Sequence, residues 1–412
     1  MRASFRKKVH LSRLGLVLVY LVIAGCGGRS RLEPTVLLIS LDGFRWDYQQ
    51  KVATPNLDRL AETGVQAKAL IPVFPTKTFP NHYTIVTGLY PENHGIVANT
   101  MFDPVMSDTF MLDKREAVSD GRWYGGEPIW VTAEKQGRIS ACLFWAGSEA
   151  EINGSRPTYW YEYDHNLPHV DRVNQVLSWL DLPADRRPQL ICMYFPDTDD
   201  GGHLGTSSPA VIEAIQRVDS TLGILFDGLV QRDIMEELNI IVLSDHGMAD
   251  IDPERMIFLD DYIDPRQAGI IDWSPLLGMW PPEELRNDIY SALKNAHPRL
   301  QVYRRNEVPD RFHYSTHYRI PPIIGIANEG WSIATRDYYD RDSTHYRGGA
   351  HGYDNRYPSM RGIFIARGPA FENGMQIGAF QNLHIYHLVA EVLDLEPAPN
   401  DGSLDSVKVV LD

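Results

Sequence analysis

Three short segments place a carboxylate beside a glycine: Ser40-Leu41-Asp42-Gly43, Asp199-Asp200-Gly201-Gly202-His203 and Ser244-Asp245-His246-Gly247. Two of them add an imidazole, and a further histidine stands in Gly348-Gly349-Ala350-His351-Gly352. One such aspartate alone reads as a turn residue or a helix cap. Three aimed into one crevice would repel and raise one another's pKa unless cations lay between them. Asp199 and His203 are four residues apart, close enough to converge on one ion. The set Asp42, Asp199, Asp245, His203, His246 and His351 combines hard oxygen with borderline nitrogen and contains no thiolate. That chemistry suits Zn²⁺ ahead of Mn²⁺ or Fe. Three protein ligands per ion leave positions open, as a catalytic site requires.

A nucleophile is on offer in Pro75-Thr76-Lys77-Thr78-Phe79-Pro80-Asn81-His82. Pro80 suits the first turn of a helix, which puts Thr78 at or just before its N-terminus. The helix dipole and a nearby metal would both stabilise an alkoxide there. The same position equally suits a plain helix cap.

These residues need a scaffold that brings distant segments together. Short apolar runs at 35–41, 139–144, 189–195, 239–243 and 362–366 alternate with helical patterns. Runs that are apolar throughout fit strands buried on both faces of a mostly parallel sheet. Helices are expected at 56–63 behind Thr54-Pro55, from Pro209 to about residue 232, at 283–296 and at 383–393. The expected fold is therefore α/β, a mostly parallel sheet flanked by helices. In open sheets of this kind ligands bind at the carboxyl ends of strands, where the aspartates fall. Residues of about 249–346, rich in Tyr, Pro, Arg and Asp, break the rhythm and read as a smaller inserted lobe.

The N-terminus has its own logic. Arg2, Arg6, Lys7, Lys8 and Arg13 precede an apolar run from Leu14 to Ala24 that is too short to span a bilayer. Residues 1–25 read as a secretory signal, and Ile23-Ala24-Gly25-Cys26 resembles a bacterial lipoprotein cleavage box. Cys26 would carry the lipid and residues 26–34 the tether, ahead of one large domain over 35–412. The protein is then exported, periplasmic or at the cell surface, and anchored to the outer membrane. Cys142 and Cys192, the other two cysteines, sit in strand-like runs and read as buried small hydrophobes. A formal net charge of −15 argues against nucleic-acid polymers as partners, because no basic stripe exists to displace counterions.

The order of motifs resembles the nucleotide pyrophosphatase/phosphodiesterases of the alkaline phosphatase superfamily. The likeness is carried by Ser40-Leu41-Asp42-Gly43-Phe44-Arg45-Trp46-Asp47, Lys77-Thr78-Phe79-Pro80-Asn81-His82-Tyr83, Thr87-Gly88-Leu89-Tyr90-Pro91-Glu92-Asn93-His94-Gly95, Gly126-Glu127-Pro128-Ile129-Trp130, Ser244-Asp245-His246-Gly247-Met248 and His351-Gly352-Tyr353-Asp354-Asn355. It implies two Zn²⁺ per chain, one on Asp42, Asp245 and His246 and one on Asp199, His203 and His351. Thr78 is implied as the nucleophile bridging both, and Asn99 as a donor to a phosphate oxygen. One departure stands out: Thr198 replaces the usual proline, and spacing to His203 favours Asp199 over Asp200 as the ligand. Three aspartates and a Thr78 alkoxide cancel nearly all the charge of two Zn²⁺, so the site suits a singly charged diester.

Phe79, beside the nucleophile, and Tyr159-Trp160 offer aromatic faces for a base, in the manner of the nucleotide-acting members. The expected reaction is hydrolysis of nucleotide phosphodiester or pyrophosphate bonds to 5′-monophosphates through a phospho-Thr78 intermediate. The alternatives are a choline-phosphoester or lysophospholipid phosphodiesterase, or a phosphomonoesterase of the same superfamily.

Overall fold

The structure, a computed structural model, describes residues 32–412. Eight strands form the main sheet: β1 (Val36–Leu41), β2 (Val65–Ala67), β3 (Ser140–Leu143), β4 (Tyr159–Tyr161), β5 (Leu190–Phe195), β6 (Asn239–Leu243), β7 (Phe364–Arg367) and β8 (Met375–Ile377). Their spatial order is β8-β2-β7-β6-β1-β5-β3-β4. All neighbours pair in parallel except β7, which runs against both β6 and β2. The mostly parallel α/β sheet expected from the apolar runs is present.

Burial on both faces explains those runs. Val36 and Leu38 of β1 enter one core, while Leu37, Ile39 and Leu41 enter the other. Helices cover both faces: α1 (Pro55–Glu62), α2 (Thr78–Thr87), α3 (His169–Leu180), α4 (Asp197–His203), α5 (Pro209–Gln231) and α6 (Ile385–Val392). The long α5 starts where Ser208 accepts a hydrogen bond from the Val211 amide, with Pro209 in its first turn. From its buried middle, Asp219 accepts from the Leu57 amide at 2.9 Å and caps the start of α1.

Between β6 and β7 the chain forms a four-stranded antiparallel sheet, in the order Ile270–Asp272, Leu276–Met279, Ile323–Ala327, Leu300–Arg304. With the helix Glu283–Leu293 it builds a separate apolar core around Leu277, Leu293, Val302 and Ile323. A ribbon of Ala249–Ile251 against Gly348–Ala350 closes this segment just before His351, and the chain rejoins the main sheet at β7.

Candidate active site

The adjacent parallel strands β6, β1 and β5 end side by side, and each delivers acid to the same edge. Asp42 follows β1, Asp245 follows β6 by two residues, and Asp199 lies in the first turn of α4 just past β5. Gly43 makes the crowding possible. It has φ +64°, and a Cβ there would fall 2.9 Å from the Cα of Asp199. Thr198, in place of proline, donates its hydroxyl to the Asp42 carbonyl and ties α4 to the end of β1. Asp199 faces the site, whereas Asp200 turns outward toward His165 at 3.6 Å.

Each of the three carboxylates has one oxygen engaged and one left over. Tyr194 donates to Asp42 Oδ2 at 2.7 Å, the Gly43 amide donates to Asp245 Oδ1 at 3.2 Å, and Asp199 Oδ2 lies 3.3 Å from His203 Nε2. The opposite oxygens, Asp42 Oδ1, Asp199 Oδ1 and Asp245 Oδ2, are buried without a hydrogen-bond partner. Orphaned buried carboxylate oxygens are costly unless a cation takes them.

The histidines match them. His203 Nδ1 lies 3.0 Å from the Gly349 carbonyl, His246 Nδ1 2.9 Å from the Gly247 carbonyl and His351 Nδ1 2.9 Å from the Thr76 carbonyl. A carbonyl only accepts, so in all three rings Nδ1 carries a proton; Nε2 of His246 and His351 keeps its lone pair, while Nε2 of His203 donates to Asp199 and would give up that proton to a metal. Such backbone bonds orient imidazoles for metal binding. His246 Nε2 lies 3.1 Å from Asp245 Oδ2 and 3.4 Å from Asp42 Oδ1, and His351 Nε2 lies 3.6 Å from Asp199 Oδ1. The residues present therefore fit two adjacent metal ions.

Ligand atoms within 4.8 Å of one another group as Asp199, His246, His351 and as Asp42, His82, Asp245. His82 does not qualify as a ligand, because both its nitrogens are engaged, Nδ1 with the Thr78 carbonyl at 2.9 Å and Nε2 with Ser40 Oγ at 2.8 Å. It is a positioning residue that sequence reasoning missed, holding the start of α2 against β1 and lying 3.3 Å from Asp245. His246 stacks on His351 with ring centroids 3.7 Å apart and stands between both groups. This placement accounts for its appearance beside Asp199.

Burial dominates the electrostatics. It pushes Asp245 up to about 8 and, with Asp245 and Asp199 adding repulsion, holds Asp42 well above the usual carboxylate range. Asp199 moves the other way: burial opposes ionisation, but His351 and His203 outweigh it. Burial lowers His351 to about 4 and His246 well below the ordinary imidazole value. At His203 burial is overcome by Asp199, and the ring rises to about 9.

Thr78 is the first residue of α2, and its Oγ1 lies 3.4 Å from His246 Nε2. Asn99 Oδ1 accepts the Phe79 amide at 3.0 Å, which leaves the Asn99 Nδ2 protons beside Thr78 to donate elsewhere. Lys77 is buried and its charge is committed to Asp272 of the lobe at 2.5 Å.

A cavity of about 200 Å³ opens before Thr78 and includes Phe79, Leu112, Phe144 and Tyr163 among its walls. Tyr159 and Trp160, expected as a stacking face, do not line it. They belong to the edge strand β4, where Tyr159 stacks on Trp179 of α3 and bonds the Arg186 carbonyl, and Arg156 covers Trp160. The second aromatic wall is Tyr163, two residues past that strand. Its amide donates to Glu149 at 3.0 Å, and Glu149 is paired with Arg115. Cys26 and the signal-like segment lie outside the described residues.

Comparison with known proteins agrees with this geometry. The family model for type I phosphodiesterase / nucleotide pyrophosphatase matches residues 36–354. Ectonucleotide pyrophosphatase/phosphodiesterase family member 5 of Homo sapiens is 40% identical over 381 residues, covering 92% of this chain and 78% of that protein. A venom phosphodiesterase of Crotalus durissus collilineatus is 39% identical over 92% of this chain, which spans 46% of its length. Solved murine family member 5, an inactive threonine-to-alanine variant in complex with AMP, superposes with a TM-score of 0.87 at 38% identity, over 92% of this chain and 100% of that one. The chain belongs to the type I phosphodiesterase / nucleotide pyrophosphatase family, whose members hydrolyse phosphodiester bonds.

Proposed function

We propose that this chain is a two-zinc phosphodiesterase that splits nucleotide phosphodiester or pyrophosphate bonds to 5′-monophosphates, with Thr78 as nucleophile. The observation that carries this reading is the meeting, beside Thr78, of three orphaned carboxylate oxygens with the lone-pair nitrogens of His246 and His351, and with His203 bonded to Asp199. Asp42, Asp245 and His246 would hold one Zn²⁺ and Asp199, His203 and His351 the other. Two ions there would supply Lewis-acid stabilisation of the attacking and leaving oxygens.

The chain's own groups do the rest. Thr78 Oγ1, having lost its proton to solvent and standing as an alkoxide at the positive end of α2, attacks phosphorus, and the electron pair of the breaking P–O bond leaves with the departing group. Asn99 Nδ2–H donates to a phosphoryl oxygen as charge spreads over it. Water then cleaves the phospho-Thr78 ester and frees the monophosphate. Phe79 and Tyr163 take the base between them, a reading supported by the AMP bound in the murine relative.

Lys77 favours a diester over a monoester, because its charge is cancelled by Asp272 and unavailable to a dianion. The test compares the nitrophenyl diester of thymidine monophosphate, nitrophenyl phosphate and nitrophenyl phosphocholine as substrates of the purified protein. Preference for the first supports the nucleotide reading; preference for the second or third replaces it with the monoesterase or choline-phosphoester reading. Zinc content near two per chain is expected alongside.

The cationic start and short apolar run before Cys26 support export and lipid attachment at that cysteine, with the enzyme displayed outside the inner membrane. A Cys26→Ala protein that still partitions with membranes would rule out the anchor.

A further inference from the structure

The segment Tyr90-Pro91-Glu92-Asn93-His94-Gly95, which supplies no group to the metal site, is where the lobe grips the rest of the chain. The connection between the lobe strands Leu300–Arg304 and Ile323–Ala327 lays residues 314–319 against it. Glu92 Oε2 accepts the Ser315 and Thr316 amides at 2.7 and 3.0 Å. His94 Nδ1 accepts the Ile96 amide at 3.1 Å, and its Nε2 lies 3.0 Å from Thr84 Oγ1 of α2. Gly95 has φ +81°, and a Cβ there would fall 3.0 Å from Arg319 Nη1, so glycine is what admits that side chain.

Arg319 is 4% exposed and reaches both ends of the stretch that carries Asn99. Its Nη1 donates to the Gly95 carbonyl at 3.1 Å, and its Nε donates to Asp103 Oδ2 at 2.6 Å. Further bonds run to the Trp123 and Arg122 carbonyls, and the guanidinium lies 4.9 Å over the Trp123 ring. Trp123 packs on Phe110 and Phe110 on Phe79, with ring centroids 5.5 and 5.6 Å apart. Tyr314 donates its hydroxyl to the Val97 carbonyl, two residues before Asn99, at 2.8 Å. A buried ion pair such as Arg319 with Asp103 adds little net stability, and its better-attested use is to fix one register.

We propose that Arg319 and Tyr314 are positioning residues for the reaction, holding residues 95–103 so that Asn99 Nδ2 meets the phosphoryl group under attack by Thr78. The proposal rests on the roles given to Thr78 and Asn99 above. The 3.0 Å bond from the Phe79 amide fixes the Asn99 side chain, and the lobe restrains its backbone on either side. The lobe then acts on the chemistry without touching substrate.

Wild type, Arg319→Lys, Asn99→Ala and the double variant form a cycle on the nitrophenyl diester of thymidine monophosphate, and Tyr314→Phe replaces Arg319→Lys in a second cycle. Lysine keeps a charge opposite Asp103 but cannot fork to the carbonyls, and phenylalanine removes only a hydroxyl. Asn99→Ala is expected to lower kcat roughly 100-fold, as loss of a donor to developing charge does. Arg319→Lys is expected to lower kcat roughly tenfold and Tyr314→Phe roughly threefold, with KM and zinc content unchanged, as a displacement below about 1 Å implies. In the Asn99→Ala background both effects are expected to vanish, which a merely structural role would not produce. Equal factors lost in both backgrounds, unaltered kcat in the single variants, or a change confined to KM would each overturn the positioning role alone. Asn99→Ala with wild-type kcat would overturn the role given to Asn99, and wild type inert toward the diester the reading of the site itself, with the positioning role falling in either case. If Arg319→Lys does not fold, the Tyr314→Phe cycle decides.

Discussion

Tyr194 donates its hydroxyl to one oxygen of Asp42 at 2.7 Å, and the other oxygen of that carboxylate is buried with nothing to bond. The pair fixes which oxygen points at the site. Tyr194→Phe is expected to fold and to weaken metal affinity roughly 10- to 100-fold, the usual cost of losing a partner that orients a ligand. Competition with a chromogenic chelator measures it. Unchanged affinity would mean that Asp42 is oriented by its backbone alone.

Thr78→Ala removes the hydroxyl that lies 3.4 Å from His246 and no backbone contact of α2. Metal content is expected to stay at the wild-type value while kcat drops by roughly 10³-fold or more, as for nucleophile deletions generally. Retention of substantial turnover would exclude Thr78 as the attacking group.

The metal-free protein should lose stability between pH 6.5 and 8. Asp245 titrates near 8 in the fold and near 4 unfolded, so the folded state holds the extra proton and stability falls as pH rises through that range. His203, raised to about 9, contributes stability below its unfolded value near 6.5 that is lost toward 9, with the same sign. His351, lowered to about 4, works in the opposite sense but only below 6.5. Thermal unfolding of chelator-treated protein at pH 6.5 and 8 checks this, and zinc should raise Tm more at pH 8, where binding has fewer protons to displace. A metal-free protein that is more stable at pH 8 would refute the assignment.

Phe79→Ala and Tyr163→Ala should each raise KM for nucleotide substrates about 5- to 100-fold, in line with stacking on a base. Trp160→Ala should change nothing, since that ring lies on the sheet edge under Arg156. An effect at Trp160 and none at Tyr163 would place the base against the sheet edge and not against Tyr163.

Strand-end aspartates were readable because the apolar runs before them mark where each strand stops, and parallel neighbours stop together. His203 was readable for its four-residue spacing from Asp199. His82 was not, because its task is to bond Thr78 and Ser40, and a histidine between Asn and Tyr carries no mark of that. Tyr163 was lost to Tyr159 and Trp160, since three aromatics in a row draw attention while β4 is only three residues long. The strand ends just before the residue that turns inward. The pairing of Lys77 with Asp272 spans 195 positions and left no local trace.

The ribbon that ends just before His351 has a consequence for biogenesis. Its two strands are separated by nearly 100 residues of lobe, so the candidate ligand set stays incomplete until the chain is synthesised beyond residue 351. A nascent chain of 250 residues would own five of the six candidate ligands and lack the last. Whatever ion the finished site takes is therefore drawn from the compartment in which the whole polypeptide folds, and a chain exported unfolded would meet its metal only after it has crossed.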